Sequence, residues 1–234
     1  MELVKKNDFV EIKFSGYSDG KIFDSNIEED LKKLNPEAKP SQTIVIVGQG
    51  MVVPGLDKAL ESKEIEKEYE VKFSAEEGFG KRDRNLVKTI PLNVFTEKDV
   101  QPRPGMVFAL DNYIVKILAV SGARVMADFN NPLAGRDLTY KFKIVRKIGD
   151  IKEKTEFVFN YFLKSVPEFE IKEEIIVKGP KQLEVFVHGF KDKFKELIGK
   201  ELKFELKEEK PVEDSKKEKE KTAPKENVAA DIEK

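Results

Sequence analysis

A chain of 234 residues with no cysteine and a single histidine, His188, has few ways to do chemistry. Thiolate catalysis, disulfides and cysteine-held zinc are excluded by counting, and so are a histidine-based triad and a multi-histidine metal centre. What remains is carboxylates placed beside aromatic rings. The stretch 19-DGKIFDSN-26 offers one such pair, Phe23 followed by Asp24, directly after an Asp-Gly turn. One carboxylate beside one ring suits neither acid–base relay nor metal binding. It suits a site that grips an apolar group and sets a charge at its rim. No cofactor and no metal are expected.

Composition narrows the class further. Charged residues make up 37% of the chain and hydrophobic ones 39%, yet the net charge is −1. So balanced a surface lacks the basic field and the aromatic-studded basic face of a nucleic-acid binder. The N-terminus, MELVKKNDF, has no apolar signal core, and no later run is long enough to span a bilayer. A soluble, cytoplasmic protein with no membrane partner is expected.

The elements that must position Phe23 and Asp24 are mostly strands. Residues 8–17 alternate, with Val10, Ile12 and Phe14 on one face, and Asp19-Gly20 closes the strand. Residues 27–41 read as a charged loop with at most one helical turn. A strand at 42–47 leads through Gly48-Gln49-Gly50 into a short helix within 51–62, punctuated by Pro54 and Gly55. Residues 67–74 alternate again, with Tyr69, Val71 and Phe73 on one face, up to the break 78-GFG-80.

From 81 to 130 the character changes. Pro91, Pro102 and Pro104 interrupt the first part. The dense strands 106–110 and 113–120 are joined by Asp111-Asn112 as a hairpin turn, and a strand at 124–129 follows Ser121-Gly122. After the loop 130-NNPLAG-135, residues 137–147 form a long strand carrying Leu138, Tyr140, Phe142 and Ile144 on one face. Beyond Gly149 a helix is expected at 153–164, strands at 171–178 and 183–188, a helix at 190–198 capped by Gly199, and a strand at 201–207. His188 falls at a strand end as an ordinary residue. Residues 208–234 are Lys/Glu-rich with almost no apolar content and read as a disordered charged tail.

In this order the motifs 14-FSG-16, 19-DGKIFDSN-26, 48-GQGMVVPGLDKAL-60, 78-GFG-80 and 133-LAGRDLTYKF-142 resemble the FKBP-type peptidyl-prolyl isomerases. The roughly fifty residues between Gly80 and Leu133 are similar to the insert-in-flap arrangement of SlyD-like and long archaeal members. The phrase 128-DFNNPLAG-135 is similar to the DxNHPLAG of that branch. The resemblance implies an α+β fold, an antiparallel half-barrel sheet wrapped on a short helix. It implies an isomerase domain at 1–83 and 130–148, an insert-in-flap chaperone domain at 84–129, and a C-terminal α+β dimerisation domain at 149–207.

It also implies the site. Catalytic residues would be Asp24, Phe23, Phe14, Phe79 and Tyr140. Val52, Val53 and Leu56 would hold the proline, the Val53 N–H donating to the bound peptide, and Ile114 and Leu118 would hold unfolded chain on the insert. Plain core packing is the alternative for Val52, Val53 and Tyr140. For the insert, the alternative is that its own hairpins cover both faces of 113-YIVKILAV-120. Three positions depart from the family's pattern: Phe14 and Phe79 replace tyrosines, and Leu56 replaces a tryptophan. Asp24 thereby loses its usual hydroxyl partner, and weakened macrolide affinity is expected. The partners implied are unfolded polypeptides with X-Pro bonds and a second copy of the chain, through residues 150–207. A non-catalytic holdase on the same scaffold is the alternative function.

Overall fold

Alternation of apolar residues puts strand β1 (Phe9–Ser18) at the centre of a five-stranded antiparallel sheet, as expected. The computed structural model describes residues 2–97, 99–110 and 113–207. On one side β1 pairs with β2 (Lys21–Ser25) and with β3 (Thr43–Ile46). On the other it pairs with the long strand 138–147, which in turn pairs with β4 (Glu68–Phe73).

Helix α1 (Glu28–Leu34) follows β2, where at most one helical turn was expected. None of its residues is buried, so packing does not explain it. Three acidic residues in its first turn and two lysines in its last complement the helix dipole, and Glu28 pairs with Lys32 at 2.6 Å. Helix α2 (Pro54–Leu60) sits inside the curved sheet. Its Leu56 and Leu60 pack among Val10, Ile12, Leu138, Tyr140, Phe142 and Ile144, the faces that alternation selects.

The segment 87–128 forms a sheet of its own, in the order β5-β8-β7-β6. The strands are β5 (Val87–Pro91), β6 (Val107–Leu110), β7 (Tyr113–Ser121) and β8 (Arg124–Asp128), and the short helix α3 (Asn93–Thr96) follows β5. Strand β5 was not expected. Its proline stands last in an edge strand, where a missing N–H costs no ladder bond. Phe95, Val115, Ile117, Val125 and Ala127 form the core of this unit. The other face of β7 is open: Ile114 is 56% exposed. The expected hairpin turn at Asp111-Asn112 lies outside the described residues. Strand β9 (Leu138–Lys147) then returns to the first sheet.

Asp150 caps helix α4 (Ile151–Leu163), accepting from the Glu153 N–H at 2.7 Å. Two corrections follow. The strand expected at 171–178 is two antiparallel strands, β10 (Glu168–Ile171) and β11 (Ile175–Gly179), separated by the turn at 172–174. The strand expected at 183–188 is the first half of helix α5 (Gln182–Ile198). Val and Phe in 182-QLEVFVHGF-190 read as strand formers. However, Leu183, Phe186, Val187, Phe190, Phe194 and Leu197 make one continuous helical stripe on the core, and burial overrides local propensity. His188 therefore lies on the solvent side of α5, 3.8 Å from Glu184. Gly199 ends the helix at φ 80, as the expected cap. Strand β12 (Leu202–Leu206) joins β11 in parallel through α5. The tail, 208–234, lies outside the described residues.

The C-terminal core is not self-contained. Phe9, Ile46 and Ile148 are buried in the same cluster as Phe159 and Phe194, and Met51 touches this cluster and the half-barrel core alike. Arg146 adds a polar seam, donating to Glu11 at 2.8 Å and to Glu153 at 2.5 and 3.0 Å.

Candidate active site

Strand β2 is short, and two side chains just beyond Asp24 fasten it. The Asn26 amide accepts from the Phe14 N–H at 2.8 Å and donates to the Ile12 carbonyl at 2.8 Å. The Ser25 hydroxyl lies 3.0 Å from both the Phe14 carbonyl and the Ser15 hydroxyl. Both residues are buried. The sequence marked them only as a polar pair. Their role depends on the main chain of residues 11–14 positions earlier, which no local pattern reveals.

Thus anchored, β2 turns Phe23 across the sheet. Its ring meets Tyr140 edge-on at 5.8 Å and Phe79 at 5.9 Å. Phe14 lies 6.0 Å from Tyr140. Phe73 stacks on Tyr140 at 5.6 Å and 16°, and was missed as a site residue because its alternation marks only a core face. Edge-to-face pairs of this kind add about 0.5–1.5 kcal/mol each beyond burial. Val52, Val53 and Leu56 pack against the same cluster. Leu56 is fully buried, whereas both valines remain partly accessible. The Val53 carbonyl caps α2 by accepting from Leu56 and Asp57, and its N–H has no partner among the described residues. The Asp57 carboxylate holds the preceding loop, accepting from Gly48 at 2.8 Å and Gly50 at 2.9 Å.

Asp24 stands at the rim and is exposed, but its carboxyl leans on packed atoms. Loss of hydration raises its pKa above the usual carboxylate value, against a smaller lowering effect from the Ser25 backbone. No side chain among the described residues donates to it, so the missing tyrosine hydroxyl at position 14 is not replaced. The Tyr140 hydroxyl feels it electrostatically. Burial first, and the Asp24 charge second, push that phenol well above its ordinary pKa.

Ile114 and Leu118 lie elsewhere. They line a cleft of about 390 Å³ between the insert and the 131–136 loop, with Val107, Arg82, Lys116 and Arg136. The sequence candidates thus fall into two places, eight around Tyr140 and two in this cleft. Among the described residues there is no cluster of side chains able to hold a metal ion, and no helix long and apolar enough to cross a membrane.

Known proteins carry the same arrangement. A family described as FKBP-type peptidyl-prolyl cis-trans isomerase matches residues 1–99, and one described as FKBP26, IF domain matches residues 88–133. The short-type peptidyl-prolyl cis-trans isomerase of Methanocaldococcus jannaschii is 33% identical over 147 residues, 62% of this chain and 94% of that one. SlyD of Yersinia pestis is 36% identical over 113 residues, 47% of this chain and 55% of its own length. SlyD of Helicobacter pylori is 26% identical over 150 residues, 62% of this chain and 74% of its own. The chain therefore spans little more than half the length of the Yersinia relative, but nearly all of the archaeal one. With its half-barrel sheet wrapped on α2 and its ring-lined rim, the chain belongs to the FKBP-type peptidyl-prolyl cis-trans isomerase family.

Proposed function

We propose that this protein accelerates the cis–trans isomerisation of X-Pro bonds in unfolded or partly folded polypeptides, and that its flap insert holds those chains. The observation that carries the first part is the Tyr140-centred ring pocket with one carboxylate at its rim and the unpartnered Val53 N–H beside it. Rotation about an amide faces a barrier of ~18–20 kcal/mol because the planar form is resonance-stabilised and charge-separated. The twisted amide is less polar. Walls built from Phe14, Phe23, Phe79 and Tyr140 therefore favour it over the planar form, and no nucleophile or proton relay is needed. Leu56 forms the apolar floor for the proline ring, Val52 and Val53 flank it, and the Val53 N–H donates to a peptide carbonyl. Asp24 acts as a rim charge that biases the twist.

A protease-coupled peptide assay tests this reading. Phe23→Ala and Asp24→Ala are each expected to lower kcat/KM, the ring by about 10-fold or more if ~1–3 kcal/mol of transition-state contact is lost. Unchanged activity in both variants favours the alternative, a non-catalytic holdase on the same scaffold.

The insert reading rests on the open face of β7 and its neighbours, where Ile114, Val107 and Met126 are all exposed. Such a face, with strand edges beside it, suits an extended chain. Deleting residues 84–129 should abolish assistance to refolding while sparing short-peptide turnover.

A third part concerns assembly. Tyr161, Phe162, Val166 and Val185 are exposed on the C-terminal unit, beside the stacked pair Phe186 and Phe190. Pairing of two copies through residues 150–207 would cover this face, and light scattering at a monomer mass at high concentration would refute it. A cysteine-free chain with balanced charge suits work in the cytoplasm on protein clients rather than on nucleic acid.

A further inference from the structure

The chain enters the insert through residues 81–86 and leaves it through 129–135. Two backbone rungs bracket this crossing. The Gly135 N–H donates to the Gly80 carbonyl at 2.8 Å on the half-barrel side, and the Phe129 N–H donates to the Leu86 carbonyl at 2.9 Å on the insert side. Midway between them a side chain makes the rung. Asn130 Oδ1 accepts from the Asp83 N–H at 2.8 Å, and Asn130 Nδ2 donates to the Asp83 carbonyl at 2.9 Å. These are the two bonds that a neighbouring strand's backbone would make.

The clamp is braced. Nδ2 also donates to Asp128 Oδ1 at 2.7 Å, and the Asn130 N–H reaches the same oxygen at 3.0 Å. Asp128 Oδ2 takes the Arg82 guanidinium at 2.5 Å. Asn130 and Asp128 are only 7% and 8% exposed. Burial pushes the Asp128 carboxyl up, but the bonds from Asn130 and then Arg82 outweigh it and hold the group ionised below its usual range. A buried, fully engaged polar network of this kind tolerates one geometry and penalises others, because each displaced group would be left unsatisfied. The residues of this network, Arg82, Asp128 and Asn130, line the cleft that holds Ile114 and Leu118.

We propose that Asn130 is a positioning residue for the isomerase reaction on protein substrates. Its amide fixes the insert at one orientation to the half-barrel, so a chain held on the insert presents its prolines to the Tyr140 pocket. The inference rests on the two-part reading above. A tethered second site helps only when its geometry matches the span, and a loosened joint spreads the same tether over unproductive orientations.

The test compares the full chain with Asn130→Ala. The absence of native cysteine lets spin labels be placed on exposed Lys72→Cys in β4 and Arg124→Cys in β8 without background. The distance distribution between them is expected to broaden in the variant. In the same preparations, KM for a proline-limited unfolded protein should rise about 10-fold with kcat unchanged, while short-peptide kcat/KM stays within about 2-fold. If Asn130→Ala does not fold, Asn130→Asp serves. It is isosteric, loses both Nδ2 bonds and faces Asp128 with a like charge, and the same split is expected. An unchanged distance distribution overturns the clamp whatever the kinetics show. A broadened distribution with equal effects on peptide and protein, or with none on either, overturns the positioning role. Failure of the functional reading looks different: the wild-type chain itself would show no turnover, or no preference for protein over peptide.

Discussion

A Cβ built on Gly16 would stand 2.7 Å from the Cζ atom of Phe23, with the ring's two ε carbons at 3.2 Å. Gly16 faces Asp24 across one ladder and Tyr140 across the other. The bare backbone at position 16 is therefore the passage through which the Phe23 ring crosses β1 to reach Tyr140. Gly16→Ala should push the ring off Tyr140. The variant is expected to lose about 1–3 kcal/mol of stability, as overpacked sites do. Its kcat/KM on short peptides should fall more than that of a core variant with equal Tm loss, which denaturation and the peptide assay together will show.

Asp24 should trade stability for function. Its folded pKa lies above the ordinary value of 3.8. Below pH 3.8 both the folded and unfolded states are protonated and no penalty exists. As pH rises from 3.8 through the folded pKa, the unfolded state ionises first and stability is lost. Asp24→Asn is expected to raise Tm slightly at pH 7, a small effect because solvent screens the exposed rim. The gain should vanish on acidification below pH 3.8 while peptide turnover stays reduced. A Tm gain independent of pH would contradict this assignment.

Asp57 holds the two glycine N–H groups of the loop that leads to Val52 and Val53. Asp57→Ala leaves both donors without their buried acceptor, at a cost of about 1–3 kcal/mol. The loop should loosen, and KM for peptides should rise more than kcat falls. Asp57→Asn keeps one acceptor oxygen and is expected to fall between the two.

Because the C-terminal core takes Phe9 and Ile46 from the first sheet, the two units should unfold together. Phe194→Ala should cost roughly 3–5 kcal/mol. It should shift one cooperative transition, seen alike by far-ultraviolet circular dichroism and by loss of peptide turnover. Two separated transitions would show the units to be independent.

Much of the half-barrel was legible because its strands are buried on one face. Leu138, Tyr140, Phe142 and Ile144 alternate with polar residues, and period two has only one structural meaning at that length. The Phe23-Asp24 pair stood out for the same reason, since a turn signal fixed the start of β2. What the sequence hid is non-local. Asn26 and Asn130 look like ordinary loop residues, yet each makes its pair of bonds to backbone far along the chain. Phe73 looked like core and also backs Tyr140. The first half of α5 misled because Val and Phe suit a strand locally, and only the distant Phe9, Phe159 and Ile175 make its helical stripe the better fit. The tail at 208–234 and the turn at Asp111-Asn112 lie outside the described residues.

Strand β1 holds two neighbours with opposite allegiances. Val10 points into the half-barrel core and Phe9 into the core shared with α4 and α5. Burying a phenylalanine is worth roughly 1.5–3 kcal/mol. A lineage that discarded residues 149–207 would have to repaint Phe9, Ile46 and Ile148 in polar colours at the same time, or leave an oily outer wall on its isomerase. The appended unit is in this sense written into the first strand, and shorter relatives are expected to carry polar residues at the position of Phe9.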